Sequence, residues 1–131
     1  LAMVTDPQGV PFYVMRGASD HTSTAYGRMA MGHISWNELL TPDQEAALAF
    51  YGDLFGMSKS GTMPMGPMGD YTFLQHAGDG FGAMMTTPPG APSGWGFYFR
   101  VPEIEAAKAA SSRPVARSRR DRWKCRVARW C

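Results

Sequence analysis

Two stretches decide the fold: residues 42–49 read PDQEAALA and residues 102–109 read PEIEAAKA. Pro, an acidic residue, Glu and three Ala of the first stretch recur 60 positions later in the second. Helix-start chemistry alone could produce such an octapeptide. Each copy, however, also follows a run of strand-forming residues, at 35–40 and at 96–101. The shared strand-to-helix order favours an internal repeat.

The first copy specifies a helix more strongly than any other part of the chain. Thr41 offers a hydroxyl for the N-cap, Pro42 suits the first helical position, and Gln44 stands at the reciprocal capping position. Apolar residues then recur every four positions, at Ala46, Phe50 and Leu54. The pattern predicts a helix that begins after Thr41 and ends at Gly56.

The segments around this helix have the character of strands. Alternating β-formers at 70–76 and 80–87 flank a turn at 77–80, and 95–101 forms another such run before Pro102 opens a second helix. One strand, one helix and three strands describe a βαβββ module at 33–87, followed by the start of another. We therefore predict an α+β fold with an incomplete second module.

Four segments in this order also carry a family resemblance. They are SWNEL at 35–39, EAALAFYGDLFG at 45–56, GDGFGAMM at 78–85 and FYFRVPEIEAAKAA at 97–110. On these residues the chain resembles the vicinal oxygen chelate superfamily of glyoxalases, bleomycin-resistance proteins and extradiol dioxygenases. It is similar to the tandem two-domain, glyoxalase-like bacterial members. The resemblance implies βαβββ modules of the glyoxalase/bleomycin-resistance fold.

The resemblance also suggests a domain organisation. The segment DPQGVPFYVM at 6–15 resembles the end of such a domain. We interpret residues 1–16 as the last strand of an upstream glyoxalase-like domain and residues 17–32 as a linker. Residues 33–110 then hold the first βαβββ module plus the first strand and helix of the second. The initial Leu1 also suggests a fragment.

The end of the chain differs in composition from the rest. Residues 1–110 hold ten acidic and five basic side chains, whereas residues 111–131 hold one acidic and eight basic ones, both cysteines and two of the four tryptophans. Read one base out of frame, with permitted codons, 110–131 becomes a Gly-rich continuation of the family pattern. We interpret 111–131 as an aberrant, disordered basic tail from a frame error; sequencing the gene around codons 109–112 tests this.

Metal-using members of the superfamily place His or Glu on the inner face of the sheet. Carried over by spacing, three of the four ligand positions fall on Trp36, Gly96 and Tyr13, and the segment 80–87 that holds the fourth contains no His, Glu or Cys and no Asp. None of these positions supplies a metal ligand. His33 and His76 are better read as surface or strand-end residues. The sequence therefore predicts no cofactor and disfavours a divalent metal.

A binding pocket for a small molecule remains the favoured interpretation. We expect Trp36, Tyr71, Phe73, Met84 and Tyr13 to line it, although core packing is the alternative for the methionine. Glu38 is a weak candidate for an acid or base, provided that it faces the same side as Trp36. The favoured function is a metal-independent small-molecule-binding protein, truncated in this form. The alternative is a glyoxalase-like lyase or dioxygenase-type enzyme whose metal site is lost or lies in the other domain copy.

Composition restricts the partners. The Arg-rich tail lacks a recognised nucleic-acid-binding motif, so we expect no evolved nucleic-acid partner. No apolar run approaches the ~18–20 residues of a membrane span, and no secretion signal is visible, so we expect a cytoplasmic protein without a membrane partner. An incomplete sheet leaves an unpaired edge, which predicts a homodimer or pairing with a second glyoxalase-like domain.

Overall fold

The computed structural model describes residues 1–112, and the tail predicted at 111–131 lies almost wholly outside the described residues. Ten elements follow one another: β1 (Ala2–Thr5), β2 (Pro11–Val14), β3 (Ile34–Thr41), α1 (Gln44–Phe55), β4 (Met57–Pro64), the 3-10 turn η1 (Gly66–Met68), β5 (Asp70–His76), β6 (Asp79–Thr86), β7 (Gly94–Phe99) and α2 (Ile104–Ser111). The elements from β3 to β6 are the predicted βαβββ module, and β7 with α2 begins a second. The α+β prediction is confirmed.

Five strands form one sheet in the order β4-β5-β6-β3-β7. Strand β3 runs parallel to β6 and antiparallel to β7, so the start of the second module lies beside the start of the first. The backbones of β3 and β6 approach closely at Gly82, where a Cβ atom would overlap the carbonyl oxygen of Asn37. Glycine is required there by this contact.

Helix α1 packs on one face of this sheet, which we call the helix face. Leu39, Leu74 and Met84 from the strands and Ala47 and Tyr51 from the helix form its buried core. Because side chains alternate along a strand, every second residue of β3 points away from the helix. We call the opposite side, which α1 does not cover, the open face.

The start of α1 differs from the prediction. The N-cap is Asp43, whose carboxylate accepts a hydrogen bond from the backbone N–H of Ala46 at 3.0 Å, whereas Thr41 remains in β3. Thr41 is fully buried, pairs with Thr86 and contacts the side chain of Gln8. Strand pairing therefore holds Thr41 out of the cap. The predicted end at Gly56 is confirmed, with a left-handed φ of 70°.

The N-terminal segment forms two strands where the sequence predicted one. β1 and β2 pair antiparallel in a sheet of their own, and the turn between them is closed by Asp6. Phe12 of this hairpin contacts the rings of Phe50, Tyr51 and Phe55 on α1, with centroids 5.6–6.2 Å apart. The hairpin is therefore anchored on the helix, and its assignment to an upstream domain stays a prediction.

The sheet ends in β4 on one side and β7 on the other. Phe97 and Phe99 of β7 are more than half exposed beside this edge. Such an edge is a template for pairing with another strand, so self-association stays a prediction with a defined location. In residues 1–112, no helix combines the length and the apolar character needed to cross a membrane.

Candidate functional site

The open face carries a carboxylate at its centre. Glu38 lies on β3 two residues after Trp36, and it pairs across the sheet with Gly96 of β7 and Ala83 of β6. Both of these neighbours have minimal side chains, so the Glu38 side chain meets no bulky group from the adjacent positions. The condition set for Glu38, that it shares a face with Trp36, is met.

Two phenols hold this carboxylate in place. The hydroxyl of Tyr71 donates to one carboxylate oxygen of Glu38 at 2.8 Å, and the hydroxyl of Tyr98 donates to the other at 2.9 Å. The indole N–H of Trp36 donates in turn to the Tyr71 oxygen at 2.9 Å. We call Trp36, Tyr71 and Glu38 the open-face triad. Because each carboxylate oxygen has a further lone-pair direction, Glu38 retains acceptor capacity for a ligand.

Aromatic rings surround the triad. The ring of Phe73 stands edge-on to those of Trp36 and Tyr71, with centroids 6.2 and 5.6 Å away. Above Trp36 lies the guanidinium of Arg28, 5.7 Å from the ring centroid, which comes from the segment before β3. The site is therefore an apolar platform with one fixed anion, and its Trp36 face already accommodates a cation.

The hydroxyls of the site remain protonated over the physiological range. Burial and, to a smaller extent, the adjacent Glu38 carboxylate together raise the pKa of Tyr71 to about 12, against the opposing effect of the Trp36 hydrogen bond. The pKa of Tyr98 is also raised, first by burial and then by Glu38. Both phenols therefore serve as hydrogen-bond donors near neutral pH, and neither is a general base.

The structure brings together Trp36, Tyr71 and Phe73 of the expected pocket, and separates the other two residues. Met84 pairs with Leu39 and is 1% exposed in the core beneath α1, so the expectation that it faces the pocket is wrong. Met84 belongs instead to the core formed between the sheet and α1. Tyr13 lies on β2, outside the main sheet, and is 67% exposed on the side of α1. It therefore shares no surface with Trp36.

Sequence reasoning missed Tyr98 and Arg28. Tyr98 reaches Glu38 because β7 runs antiparallel to β3 and places Tyr98 opposite Trp36. The 60-residue repeat relates β3 to β7, but a repeat in the sequence does not say which residues of the two strands lie opposite each other. Arg28 lies in a segment without periodicity, so no pattern pointed to it.

A cavity lies elsewhere, on the helix face between the hairpin and β7. It measures about 580 Å³ and is lined by aromatic and apolar side chains, with Asn37 as its main polar group; these are Pro11, Phe12, Tyr13, Tyr51, Phe55, Met57, Phe81, Trp95 and Phe97. No ionisable carboxylate, imidazole or amine lines it. The helix-face cavity offers volume, whereas the open face carries the carboxylate of Glu38, and charged and acid-base groups are the ones that mark functional sites.

Beside this cavity lies a second set of a tryptophan, a tyrosine and a carboxylate. The indole N–H of Trp95 donates to the Tyr51 oxygen, and the Tyr51 hydroxyl donates to Asp6, both at 3.1 Å. The other oxygen of Asp6 accepts the backbone N–H groups of Gln8 and Val10 at 2.9 and 2.8 Å. We call Trp95, Tyr51 and Asp6 the buried triad, since Asp6 is 4% and Tyr51 1% exposed. It ties the hairpin to α1 and β7.

The open face does not fit the metal that the fold family implies. Within residues 1–112, no three His, Cys, Asp or Glu side chains converge in a group able to hold an ion. Glu38 stands alone, and its oxygens already accept two phenol hydrogen bonds. His76 is exposed at the end of β5, and His33 contacts the carbonyl of Met31, so neither joins Glu38.

Comparison with known proteins agrees with this architecture. The sequence model of the Glyoxalase/Bleomycin resistance protein/Dioxygenase superfamily matches residues 30–118. The chain belongs to this superfamily. The match includes the whole βαβββ module, β7 and α2, and it extends past Ser111 into the segment that we interpreted as a frame error.

Two curated relatives carry the same name. Proteins called "Putative glyoxylase CFP32", from Mycobacterium bovis and Mycobacterium tuberculosis, are each 32% identical to this chain over 115 residues. The aligned part covers 86% of this chain and 43% of each relative. The chain therefore spans less than half the length of these relatives.

Proposed function

We propose that this superfamily member binds a small molecule on its open face and does so without a resident metal. The observation that carries the proposal is the Glu38 carboxylate, fixed by Tyr71 and Tyr98 on an aromatic platform. A few oriented polar groups among apolar rings are typical of small-molecule sites. The single carboxylate supplies too few donors for a divalent ion, which supports the metal-independent form of the proposal.

A panel of small aromatic compounds of different charge tests ligand binding, with ligand-observed NMR on the full chain as the readout. We expect Trp36→Ala to abolish binding, because it removes the largest ring of the platform. Phe97→Ala is the matched control, since Phe97 lines the helix-face cavity and is already 59% exposed. Equal loss in both variants, or loss in Phe97→Ala alone, contradicts the open-face site.

Metal analysis tests the other half of the proposal. After dialysis against excess Ni²⁺ or Zn²⁺ and then against buffer, the chain should retain no stoichiometric metal, and ligand binding should be unchanged by a chelator. One bound ion per chain that is lost in Glu38→Gln contradicts metal independence.

A glyoxalase-like lyase is the second candidate, because both relatives are named as glyoxylases. Turnover of the methylglyoxal–glutathione adduct, with each of several divalent ions added, measures this activity. Metal-dependent turnover by the intact gene product favours the lyase and removes the binding-protein proposal. We expect none from this chain.

We also propose that residues 1–16 end an upstream glyoxalase-like domain in a tandem protein, and that the reading frame changes near residue 111. The separate sheet of β1 and β2 supports the first point, and the coincident shift in charge and composition supports the second. A single frame through codons 109–112 in the source gene would remove the second point and leave the first standing.

A further inference from the structure

The charge of Glu38 has no counter-ion among the described residues. Among those residues an ion pair joins Lys108 and Glu105, which are both exposed on α2. Neither of them contacts Glu38. The hydroxyls of Tyr71 and Tyr98 stabilise the carboxylate by hydrogen bonds but do not neutralise it. The Glu38 carboxylate, held in place among aromatic rings, is therefore available to pair with a charged ligand.

The surrounding rings suit a positively charged ligand. Aromatic faces carry negative potential and attract cations that lie over them. The guanidinium of Arg28 lies over the Trp36 ring, 5.7 Å from its centroid, which shows that this ring attracts a planar cation. A ligand anion at Glu38 would be repelled by the carboxylate and by the faces of the neighbouring rings, and the Arg28 charge over Trp36 acts in the opposite direction.

We infer that Glu38 makes the open face selective for an organic cation, an amine or amidinium attached to an aromatic or apolar body. This inference rests on the proposed open-face site and specifies its ligand class. In the bound state the cation donates to the free acceptor positions of Glu38, and the apolar body lies on Trp36 and Phe73. Tyr71 and Tyr98 are positioning residues that orient the carboxylate.

The test uses three probes of the same shape: benzamidinium, benzamide and benzoate. We expect benzamidinium to bind about fivefold more tightly than benzamide, as for a partly exposed ion pair, and benzoate to bind more weakly than either. The preference for benzamidinium should decrease as ionic strength rises. Dissociation constants come from NMR titrations of the full chain.

Three variants identify the source of the selectivity. Glu38→Gln should bind benzamidinium and benzamide equally, whereas Glu105→Gln, which removes the same charge from exposed α2, should keep the preference. Tyr98→Phe retains the carboxylate but removes one of the two hydrogen bonds that orient it, so it should reduce the preference without abolishing it; an unchanged preference would contradict the positioning role of Tyr98. Near-UV circular dichroism confirms that each variant is folded.

The possible failures are distinct. If no probe binds at Trp36, the proposed open-face function fails. If the three probes bind equally well there, or benzoate binds best, the site stands and the cation selectivity is wrong. Loss of the preference in Glu105→Gln would assign it to overall charge and overturn the role of Glu38.

Discussion

The two faces of the sheet carry the same arrangement of hydrogen bonds in different surroundings. In both triads an indole N–H donates to a tyrosine oxygen and the tyrosine hydroxyl donates to a carboxylate. Asp6 of the buried triad also accepts two backbone N–H groups. Glu38 of the open-face triad instead accepts a second phenol, Tyr98, which is 49% exposed.

This difference suits the buried triad to a structural role and the open-face triad to ligand binding. The acceptor positions of Asp6 are used by the protein itself, so the buried triad acts as a clamp between the hairpin and the module. The acceptor positions of Glu38 are partly used and reachable from solvent, so the open-face triad can exchange water for a ligand. Each triad consists of a tryptophan, a tyrosine and a carboxylate, and accessibility decides its role.

Removing the carboxylates should give the largest contrast. Asp6→Ala leaves the buried backbone N–H of Val10, the partly buried backbone N–H of Gln8 and the Tyr51 hydroxyl without an acceptor, and should lower the free energy of unfolding by about 3 kcal/mol. Glu38→Ala should cost less than about 1 kcal/mol, because water can replace the carboxylate. Urea unfolding measures both. Equal losses would mean that the open-face triad is also a structural clamp.

The tyrosines should show the same order with smaller effects. Tyr51→Phe removes the hydroxyl that links Trp95 to Asp6 and should cost about 2 kcal/mol, whereas Tyr71→Phe should cost about 0.5–1 kcal/mol. Both substitutions keep the ring, so packing is matched. A larger loss in Tyr71→Phe than in Tyr51→Phe would reverse the assignment of the two triads.

Much of the fold, but less of the site, could be predicted from the sequence. The capping residues and apolar stripe that indicate α1 are local signals, so the helix was predicted with its end at Gly56. Strand β4 was not delimited, because MSKSGTMP has no alternation and forms an edge strand only by pairing with β5. Tyr98 and Asp6 contact residues 45 or more positions away. Such contacts depend on strand register and hairpin docking, which no local pattern encodes.

Alkaline pH should affect both triads in the same way. Burial raises the pKa of Tyr51 and of Tyr71 from 10.0 to about 12. The stability that accompanies these raised values is fully present below pH 10 and is lost as the pH rises towards 12, because unfolding then releases protons. Urea unfolding at several pH values should show this fall, and Tyr51→Phe and Tyr71→Phe should each reduce it. A stability that stays constant to pH 12 contradicts the buried, hydrogen-bonded hydroxyls.

The central claim is that the open face, and not the helix-face cavity, receives the ligand. The indole N–H of Trp36 reports on the open face, and that of Trp95 reports on the helix-face cavity. The variants Trp36→Phe and Trp95→Phe assign the two signals in ¹⁵N-correlated NMR spectra. On titration with benzamidinium, the account predicts that the Trp36 signal shifts and the Trp95 signal does not. A shift of Trp95 with Trp36 unchanged would place the ligand in the cavity beside the buried triad and contradict the account.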